Sequence, residues 1–255
     1  MSDTPRTSSK NTEFKQGQFE SLYPDGVRDH YWTKARHKIV TRKLAAAFSS
    51  LQSDEIVLDV GCGRGLAVEY FRALGVNAVG CDLAQAEPIA KAMEPFLTFG
   101  VYAQQLNDEL RKKVAVITLM DVLEHMENPC EFLKEVKESF PACRTVLLTL
   151  PARQELWSNY DEFNHHYLRY DRSSALRFNM KGCFRITRMG YFFHCLYWPA
   201  LAIVKSGLKR STEFNAPTSA NRWIHALLAS ALSAEELILP SGLAGSSLYV
   251  MLERD

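Results

Sequence analysis

The 255-residue sequence lacks several features that would point to whole classes of protein. Its 30 basic and 29 acidic residues leave a formal net charge of +1, without the excess of Lys and Arg on which nucleic-acid binding depends. The 6 cysteines include no C-x-x-C pair, and most lie in apolar runs, where a free thiol behaves as a small hydrophobic side chain. We therefore expect no nucleic-acid partner, no metal site and a reducing, cytoplasmic location.

The amino-terminal region has no apolar segment of the signal-peptide type. Residues 1–20 are rich in Ser, Thr, Lys and Gln, a composition that cannot bury enough apolar surface to fold alone. We therefore expect a flexible tail over residues 1–28, followed by a single domain over residues 29–255.

One long apolar run, Tyr191 to Leu208, approaches the length that spans a membrane. A His, a Pro and a Lys interrupt it, and these interruptions favour a buried or lid-like segment over a spanning helix. The run and the residues after it are interpreted as an apolar hairpin at about 191–220. Such an aromatic-rich segment leaves open a peripheral contact with a membrane.

The stretch from Ile56 to Gly65 carries the most specific pattern in the chain. An apolar run, interrupted at Asp59, predicts a buried parallel strand, and Gly61, Gly63 and Gly65 follow it at alternate positions before a helical pattern begins. Glycine in such a turn can reach positive φ and approach a ligand closely, while the free N–H groups of the following helix point into the same crevice. The pattern predicts a site for a nucleotide-like ligand.

A second predicted strand ends at Asp82, about 20 residues after Gly61, where an acidic side chain can accept both hydroxyls of a ribose. Strand and helix patterns alternate five times up to Pro151, which indicates a parallel sheet with right-handed crossovers. One of the helices is predicted at about 85–93, and a polar, aromatic insert follows at about 151–182. Ligands bind beyond the carboxyl ends of such strands, where we expect the glycine turn, Asp82, Asp121 and the insert to meet.

Several motifs resemble those of class I methyltransferases that depend on S-adenosylmethionine (SAM). Asp59, the alternating glycines and Asp82 are similar to motif I and the acidic motif that follows it in that family. The segment from Leu119 to Pro129, and a W…D…H-x-R-Y pattern that begins at Trp157, resemble the type 11/12 small-molecule group, which includes ubiquinone-biosynthesis O-methyltransferases. The resemblance implies a Rossmann-like α/β fold with a seven-stranded, mostly parallel sheet, an antiparallel last strand, helices on both faces and a capping insert.

The same resemblance implies SAM as the cofactor and S-adenosylhomocysteine (SAH) as its product. The glycines would let the main chain approach the methionine part of SAM, Asp59 would orient its amino group, and Leu83 would pack on the adenine. Gln104 stands near the position where family members often place an Asp that holds the adenine amine. The residues assigned to the cofactor are Asp59, Gly61, Gly63, Gly65, Asp82, Leu83, Gln104 and Asp121.

Methyl transfer to oxygen or nitrogen can require a base, and a histidine near neutral pKa suits that task. His166, at the family's position in the insert, and His125, after the fourth strand, are the candidates, with local hydrogen bonding as the alternative role. Arginine and aromatic side chains can bind an acceptor, although surface exposure or the insert's own core would also explain them. The acceptor-binding candidates are Trp32, Arg36, Trp157, His165, Arg169 and Tyr170.

These patterns lead to one leading hypothesis and two alternatives. The leading one is SAM-dependent methyl transfer to a small-molecule acceptor, on oxygen rather than nitrogen or carbon, with an amphipathic acceptor that is lipid-linked, sugar-like or quinone-like. One alternative is a catalytically inactive methyltransferase-like module that binds SAM or a partner. The other is a nicotinamide-dependent oxidoreductase, which Leu66 in place of the third fingerprint glycine disfavours.

Overall fold

A central sheet of seven strands, in the order β3-β2-β1-β4-β5-β7-β6, organises the computed structural model, which describes residues 23–212 and 215–255. Neighbouring strands are parallel except at β7, which runs antiparallel to both β5 and β6. The predicted sheet, mostly parallel with an antiparallel last strand, is thereby confirmed. The strands are β1 (Ile56–Val60), β2 (Ala78–Asp82), β3 (Leu97–Phe99), β4 (Val114–Met120), β5 (Thr145–Pro151), β6 (Phe184–Phe192) and β7 (Ser247–Arg254).

Helices cover both faces of this sheet, because alternate residues of each strand point to opposite sides. Leu58 and Ile117 belong to a hydrophobic cluster on one face, whereas their neighbours Val57 and Val116 belong to a second cluster on the other. The helices are α1 (Tyr31–Ser49), α2 (Leu66–Ala73), α3 (Asp108–Arg111), α4 (Pro129–Ser139), α5 (Asn159–Phe163), α6 (Arg172–Ala175), α7 (His194–Lys205) and α8 (Arg222–Ile238).

The insert after β5 folds back on the strand that precedes it. The N–H of Tyr170 donates to the carbonyl of Pro151 at 2.8 Å, and the N–H of Arg153 donates to the carbonyl of Tyr170 at 2.9 Å. Tyr170 is fully buried, and its hydroxyl donates to the carbonyl of Leu123 at 3.3 Å. These bonds hold the insert over the carboxyl ends of the central strands.

The prediction of a helix at about 85–93 is wrong. Residues 84–90 are irregular, and a 3₁₀ segment over Lys91–Phe96 follows them. The reason lies in Arg64, whose carbonyl accepts the N–H of Ile89 at 2.8 Å and whose Nε donates to the carbonyl of Glu87 at 3.1 Å. Backbone groups that a helix would pair internally are thus bonded to the glycine turn.

The segment interpreted as an apolar hairpin at 191–220 begins instead with the end of β6 and continues as the helix α7. Phe193, at φ 59°, turns the chain between the two elements. Residues 213 and 214 of this segment lie outside the described part of the chain. Over residues 23–212 and 215–255, no helix combines the length and apolarity required to cross a membrane.

Of the predicted flexible tail over residues 1–28, residues 1–22 lie outside the described part of the chain. From Tyr23 onward the chain is packed on the domain, with Val27 only 2% exposed in a 3₁₀ turn over Val27–Asp29. The carbonyl of Tyr23 accepts a hydrogen bond from Nη1 of Arg64 at 2.9 Å. The end of the predicted tail is therefore attached to the glycine turn.

Candidate functional site

A large cavity opens at the carboxyl ends of the parallel strands. Its volume is about 1850 Å³, and the last residues of four strands, Val60, Asp82, Met120 and Pro151, line it. Side chains from α1, α7 and the insert complete the walls. The volume exceeds the range of roughly 300–1,000 Å³ that is usual for a single small ligand, so that two ligands can be held side by side.

The glycine turn forms one wall of the cavity, and its backbone requires glycine. Gly61, Gly63 and Gly65 have φ angles of 73°, 57° and 86°, in the left-handed region that disfavours other residues. A Cβ on Gly61 would lie 2.6 Å from Cγ2 of Val122, and one on Gly63 would lie 2.5 Å from Cζ of Tyr23. Gly61 lines the cavity, whereas Gly63 and Gly65 lie behind it and shape the turn.

Asp82 ties this turn to the end of β2. Its Oδ2 accepts the N–H of Gly63 at 2.7 Å, and its Oδ1 accepts the N–H of Ala84 at 2.8 Å. Burial raises the pKa of Asp82 above its ordinary value. A carboxylate offers about four lone-pair sites, more than these backbone donors occupy, so that acceptor capacity remains for the hydroxyls of a ribose in the cavity that Asp82 lines.

Asp59 lies beneath the turn and does not line the cavity. It is 2% exposed, and its Oδ1 accepts a hydrogen bond from Oγ1 of Thr118 at 2.7 Å. Burial raises the pKa of Asp59 to about 7. The carboxyl therefore titrates near neutral pH before any ligand enters.

Leu83 and Gln104 line the cavity farther along the same edge. Leu83 is 45% exposed, which is unusual for a leucine beside a buried strand and suits an apolar ring packed on it. Gln104 donates from Nε2 to Glu135 at 3.0 Å, while its buried Oε1 has no hydrogen-bond partner among residues 23–212 and 215–255. An unpaired amide oxygen at this position has the chemistry to accept a hydrogen bond from an amine such as that of adenine.

Asp121, at the end of β4, is held in an uncommon conformation at the centre of the cavity wall. Its φ is 59°, and its Oδ1 accepts a hydrogen bond from Oγ1 of Thr149 at 3.2 Å. Arg36 of α1 forms an ion pair with Asp121, and its guanidinium carbon lies 4.3 Å from the centre of the Trp32 ring. Helix α1 thereby closes the cavity with a cation and an aromatic ring.

The insert contributes a buried network that orients one histidine. Asp161 is fully buried, and its Oδ1 lies 2.9 Å from Nδ1 of His166 and 2.8 Å from Nε of Arg169. Burial alone would raise the pKa of Asp161, but these bonds and the charge of Arg169 outweigh it and lower the pKa. An ionised Asp161 places the His166 proton on Nδ1, which leaves Nε2 as a proton acceptor.

Glu124 and His125 lie next to His166 at the same cavity wall. The rings of His125 and His166 are nearly perpendicular, 4.8 Å between centres, and burial lowers the pKa of His125 to about 3. Glu124 is 1% exposed; neither carboxylate oxygen has a hydrogen-bond partner within the described chain, and burial raises its pKa well above the usual range. The ligand atoms of these three side chains lie within 4.8 Å of one another, which is a donor set that divalent metal ions accept.

The structure separates the six residues predicted to bind an acceptor into two groups. Trp32, Arg36 and Arg169 line the cavity. The other three lie outside its lining: Tyr170 in the core, His165 exposed on the insert and Trp157 half-buried.

Tyr23 and Arg210 line the cavity but did not emerge from the sequence as site residues. The ring of Tyr23 lies against Gly63, and burial raises the pKa of its hydroxyl. The guanidinium of Arg210 lies 5.0 Å from the centre of the Tyr160 ring. The aromatic composition of the insert indicates Tyr160 as a pocket residue. Tyr23 is a single aromatic residue in a polar amino-terminal region, and its sequence context gives no such indication.

Comparison with known proteins shows the family of the chain. Residues 31–185, more than half of the chain, match a family model described as a methyltransferase domain. A mitochondrial ubiquinone biosynthesis O-methyltransferase from Arabidopsis thaliana is 32% identical over 130 residues, which are 46% of this chain and 38% of that protein. The corresponding enzyme of Cronobacter sakazakii is 41% identical over 80 residues, 29% of this chain and 32% of that protein. The matches thus span only about a third of the length of each of these relatives.

Solved structures share the fold at low sequence identity. Phosphoethanolamine N-methyltransferase 2 of Haemonchus contortus superimposes with a TM-score of 0.54 at 14% identity, over 94% of this chain and 60% of that one. Coclaurine N-methyltransferase gives a TM-score of 0.51 at 13% identity, over 85% and 70% of the two chains. From the family match and the shared fold, this chain belongs to the class I SAM-dependent methyltransferases.

Proposed function

We propose that the protein transfers the methyl group of SAM to an oxygen atom of a small, amphipathic acceptor. SAM supplies a methyl group already activated by its sulfonium, so that the protein's main task is to align an acceptor with it. The observation that carries the proposal is one continuous cavity, with the glycine turn and Asp82 at one side and the Asp161-bound His166 at the other.

We propose the following roles for the residues on the cofactor side of the cavity. We assign the ribose hydroxyls to Asp82, the adenine amine to the buried Oε1 of Gln104 and the face of the adenine to Leu83. Gly61 admits the backbone close to the ligand, since a side chain there would strike Val122. The assignment of the amino group to Asp59 requires a reach across the turn, because Asp59 does not line the cavity.

His166 is the proposed general base. Methylation of a hydroxyl oxygen releases its proton, and Nε2 of His166 is the acceptor that the Asp161 hydrogen bond leaves available. Asp161, whose pKa is lowered, stays ionised and stabilises the imidazolium that forms. His125 is a weaker base, because burial lowers its pKa to about 3, and we assign it a hydrogen-bonding role beside His166.

The acceptor side of the cavity combines apolar and cationic walls. Helix α7 supplies Leu196, Ala200 and Ile203, three positions on one side of the helix, and Trp32 faces the same cavity. Arginine side chains from α1, the insert and the segment after α7 lie among these apolar groups. Such walls fit an acceptor with an apolar body and a polar head, and the relatives named for ubiquinone biosynthesis support a quinone-like acceptor.

The proposal is tested by mass-spectrometric detection of methylated product over a panel of catechols, hydroquinones and amines, with and without an isoprenoid chain. His166→Ala should lower kcat about 100-fold, the lower end of what a general base contributes, while SAH affinity stays unchanged. His165→Ala is the matched control, since the neighbouring histidine is exposed and lies outside the cavity. Methylation of amines but not of hydroxyls would refute the oxygen acceptor. SAH binding without turnover over the whole panel would favour the inactive SAM-binding module instead.

A further inference from the structure

The outward side of α8 is mostly apolar, with Ser230 as an exposed polar residue near its middle. Four large apolar side chains are between 63% and 79% exposed: Trp223, Leu227, Leu237 and Ile238. Single exposed leucines are common on protein surfaces, but these four lie together on one helix. At 100° per residue, Trp223, Leu227, Ala231, Ala234 and Ile238 fall on one side of the helix, and all are exposed. We call this surface the α8 face.

The opposite side of α8 holds the helix on the protein. Ala229 and Leu232 are buried in the same hydrophobic cluster as α1, and Arg42 of α1 pairs with Glu236 at 2.9 Å. The N–H of Tyr31 donates to Nδ1 of His225 at 3.3 Å. Helix α8 is therefore a fixed outer layer, and the exposure of its apolar face is a property of the folded domain.

Cations outnumber anions around the α8 face. Within the described residues of 194–238, the exposed charged side chains are Lys205, Lys209 and Arg222, whereas Glu235 and Glu236 are withdrawn from solvent. Arg222 pairs with Asp29 at 3.1 Å, and Nζ of Lys38 on α1 donates to Oγ of Ser230 at 3.4 Å. Exposed tryptophan rings, an apolar helix face and surrounding cations are the features by which amphipathic helices bind the interface of an anionic bilayer.

We propose that the α8 face docks on the surface of an anionic lipid bilayer. A second copy of this chain is the competing occupant, but apposed copies would bring like-charged Lys and Arg rims together, whereas anionic headgroups neutralise them. The docking does not depend on methyl transfer.

Helix α7 connects this surface to the cavity. It packs beside α8, with the N–H of Cys195 donating to Glu235 at 3.0 Å. One side of α7 lines the cavity with Leu196, Ala200 and Ile203, while Trp198 on another side is 66% exposed. A bilayer bound at the α8 face therefore lies one helix away from the acceptor side of the cavity.

Co-sedimentation of the full chain with vesicles tests the proposal. Vesicles of phosphatidylcholine mixed with phosphatidylglycerol should bind the protein, phosphatidylcholine alone should bind it more weakly, and added salt should weaken the anionic case. Leu227→Ser should lower the partition coefficient about tenfold, because a fully buried leucine contributes that much or more. Leu176→Ser is the matched control, since Leu176 is 56% exposed and follows Ala175, which belongs to the other hydrophobic cluster. Lys205→Gln with Lys209→Gln should reduce binding to the anionic vesicles alone.

Thermal unfolding with SAH, measured for each variant, establishes that the fold and the cofactor site are intact. Vesicle binding that is absent in the wild type, or unaffected by Leu227→Ser, overturns the proposal. A wild-type dimer that light scattering shows to become monomeric in Leu227→Ser also overturns it, because the α8 face would then be occupied by a second copy.

Discussion

Replacement of Asp59 by asparagine tests how the cofactor side of the site is charged. The pKa of Asp59 rises from 3.8 to about 7 because the carboxyl is buried beneath the glycine turn. Between these two pH values the folded protein retains a proton that the unfolded chain has lost, so that stability falls as pH rises through this window. A shift of this size corresponds to about 4 kcal/mol of lost stability above pH 7, as an upper limit.

The amide introduced by Asp59→Asn cannot ionise, and its oxygen can still accept the hydrogen bond from Thr118. We therefore expect Asp59→Asn to be similar to the wild type near pH 4 and more stable than the wild type at pH 8, with the difference growing over the interval. Glu124 also has a raised pKa, but its contribution is common to both proteins and cancels in the difference between them. The carboxylate of Asp82 repels that of Asp59, so that removal of this repulsion is part of the stability expected to be gained at pH 8.

The assay is urea denaturation of both proteins without ligand at a series of pH values, with the m-values compared to verify two-state unfolding. Thr118→Val should change the stability in the opposite direction. Removal of the hydroxyl donor leaves the buried carboxylate of Asp59 without its hydrogen bond, which should cost about 1–3 kcal/mol. An identical pH dependence in wild type and Asp59→Asn would refute the reasoning. Calorimetric titration with SAH on the same samples tests the separate proposal that Asp59 binds the amino group, which requires Asp59→Asn to lose affinity.

Three further predictions follow from single contacts. Gly61→Ala should lose about 1–2 kcal/mol in chemical denaturation and weaken SAH binding, because φ is 73° and the new Cβ strikes a neighbouring side chain. Asp161→Asn should cost about 3–5 kcal/mol, since it leaves the buried guanidinium of Arg169 without its charge partner, and should also lower kcat. Gln104→Leu should reduce the affinity for SAH about tenfold in calorimetry. The affinity for methylthioadenosine should fall by the same factor, because both ligands carry the adenine amine.

Within the candidate site, the sequence predicted those proximities that depend on local geometry. The glycine turn and Asp82 are neighbours through a single strand pairing, so their spacing in the chain reflects their positions in space. The pairing of Asp161 with His166 was not predicted, although the two residues belong to one motif and are only five positions apart. Contacts between remote segments gave no such signal, as the ring of Tyr23 on Gly63 shows.

The failures have the same physical origin. A helix at 85–93 is reasonable from local pattern, but hydrogen bonds to Arg64 satisfy that backbone without helical pairing. The role of Tyr170 was unresolved in the sequence because an aromatic side chain suits a pocket wall as well as a core. Its complete burial places it in the core. Tertiary contacts therefore decided both cases.

Arg64 has a consequence for the exchange of ligands at this site. Its side chain bonds to the carbonyl of Tyr23 at 2.9 Å and to that of Glu87 at 3.1 Å, on the two segments that flank the cofactor side of the cavity. One residue of the turn thus bonds to both segments. Entry of SAM and departure of SAH should consequently share one opening event, with a single relaxation rate rather than two. Loss of the Arg64 guanidinium should accelerate both the entry of SAM and the departure of SAH. The ratio of these two rates should change less than either rate.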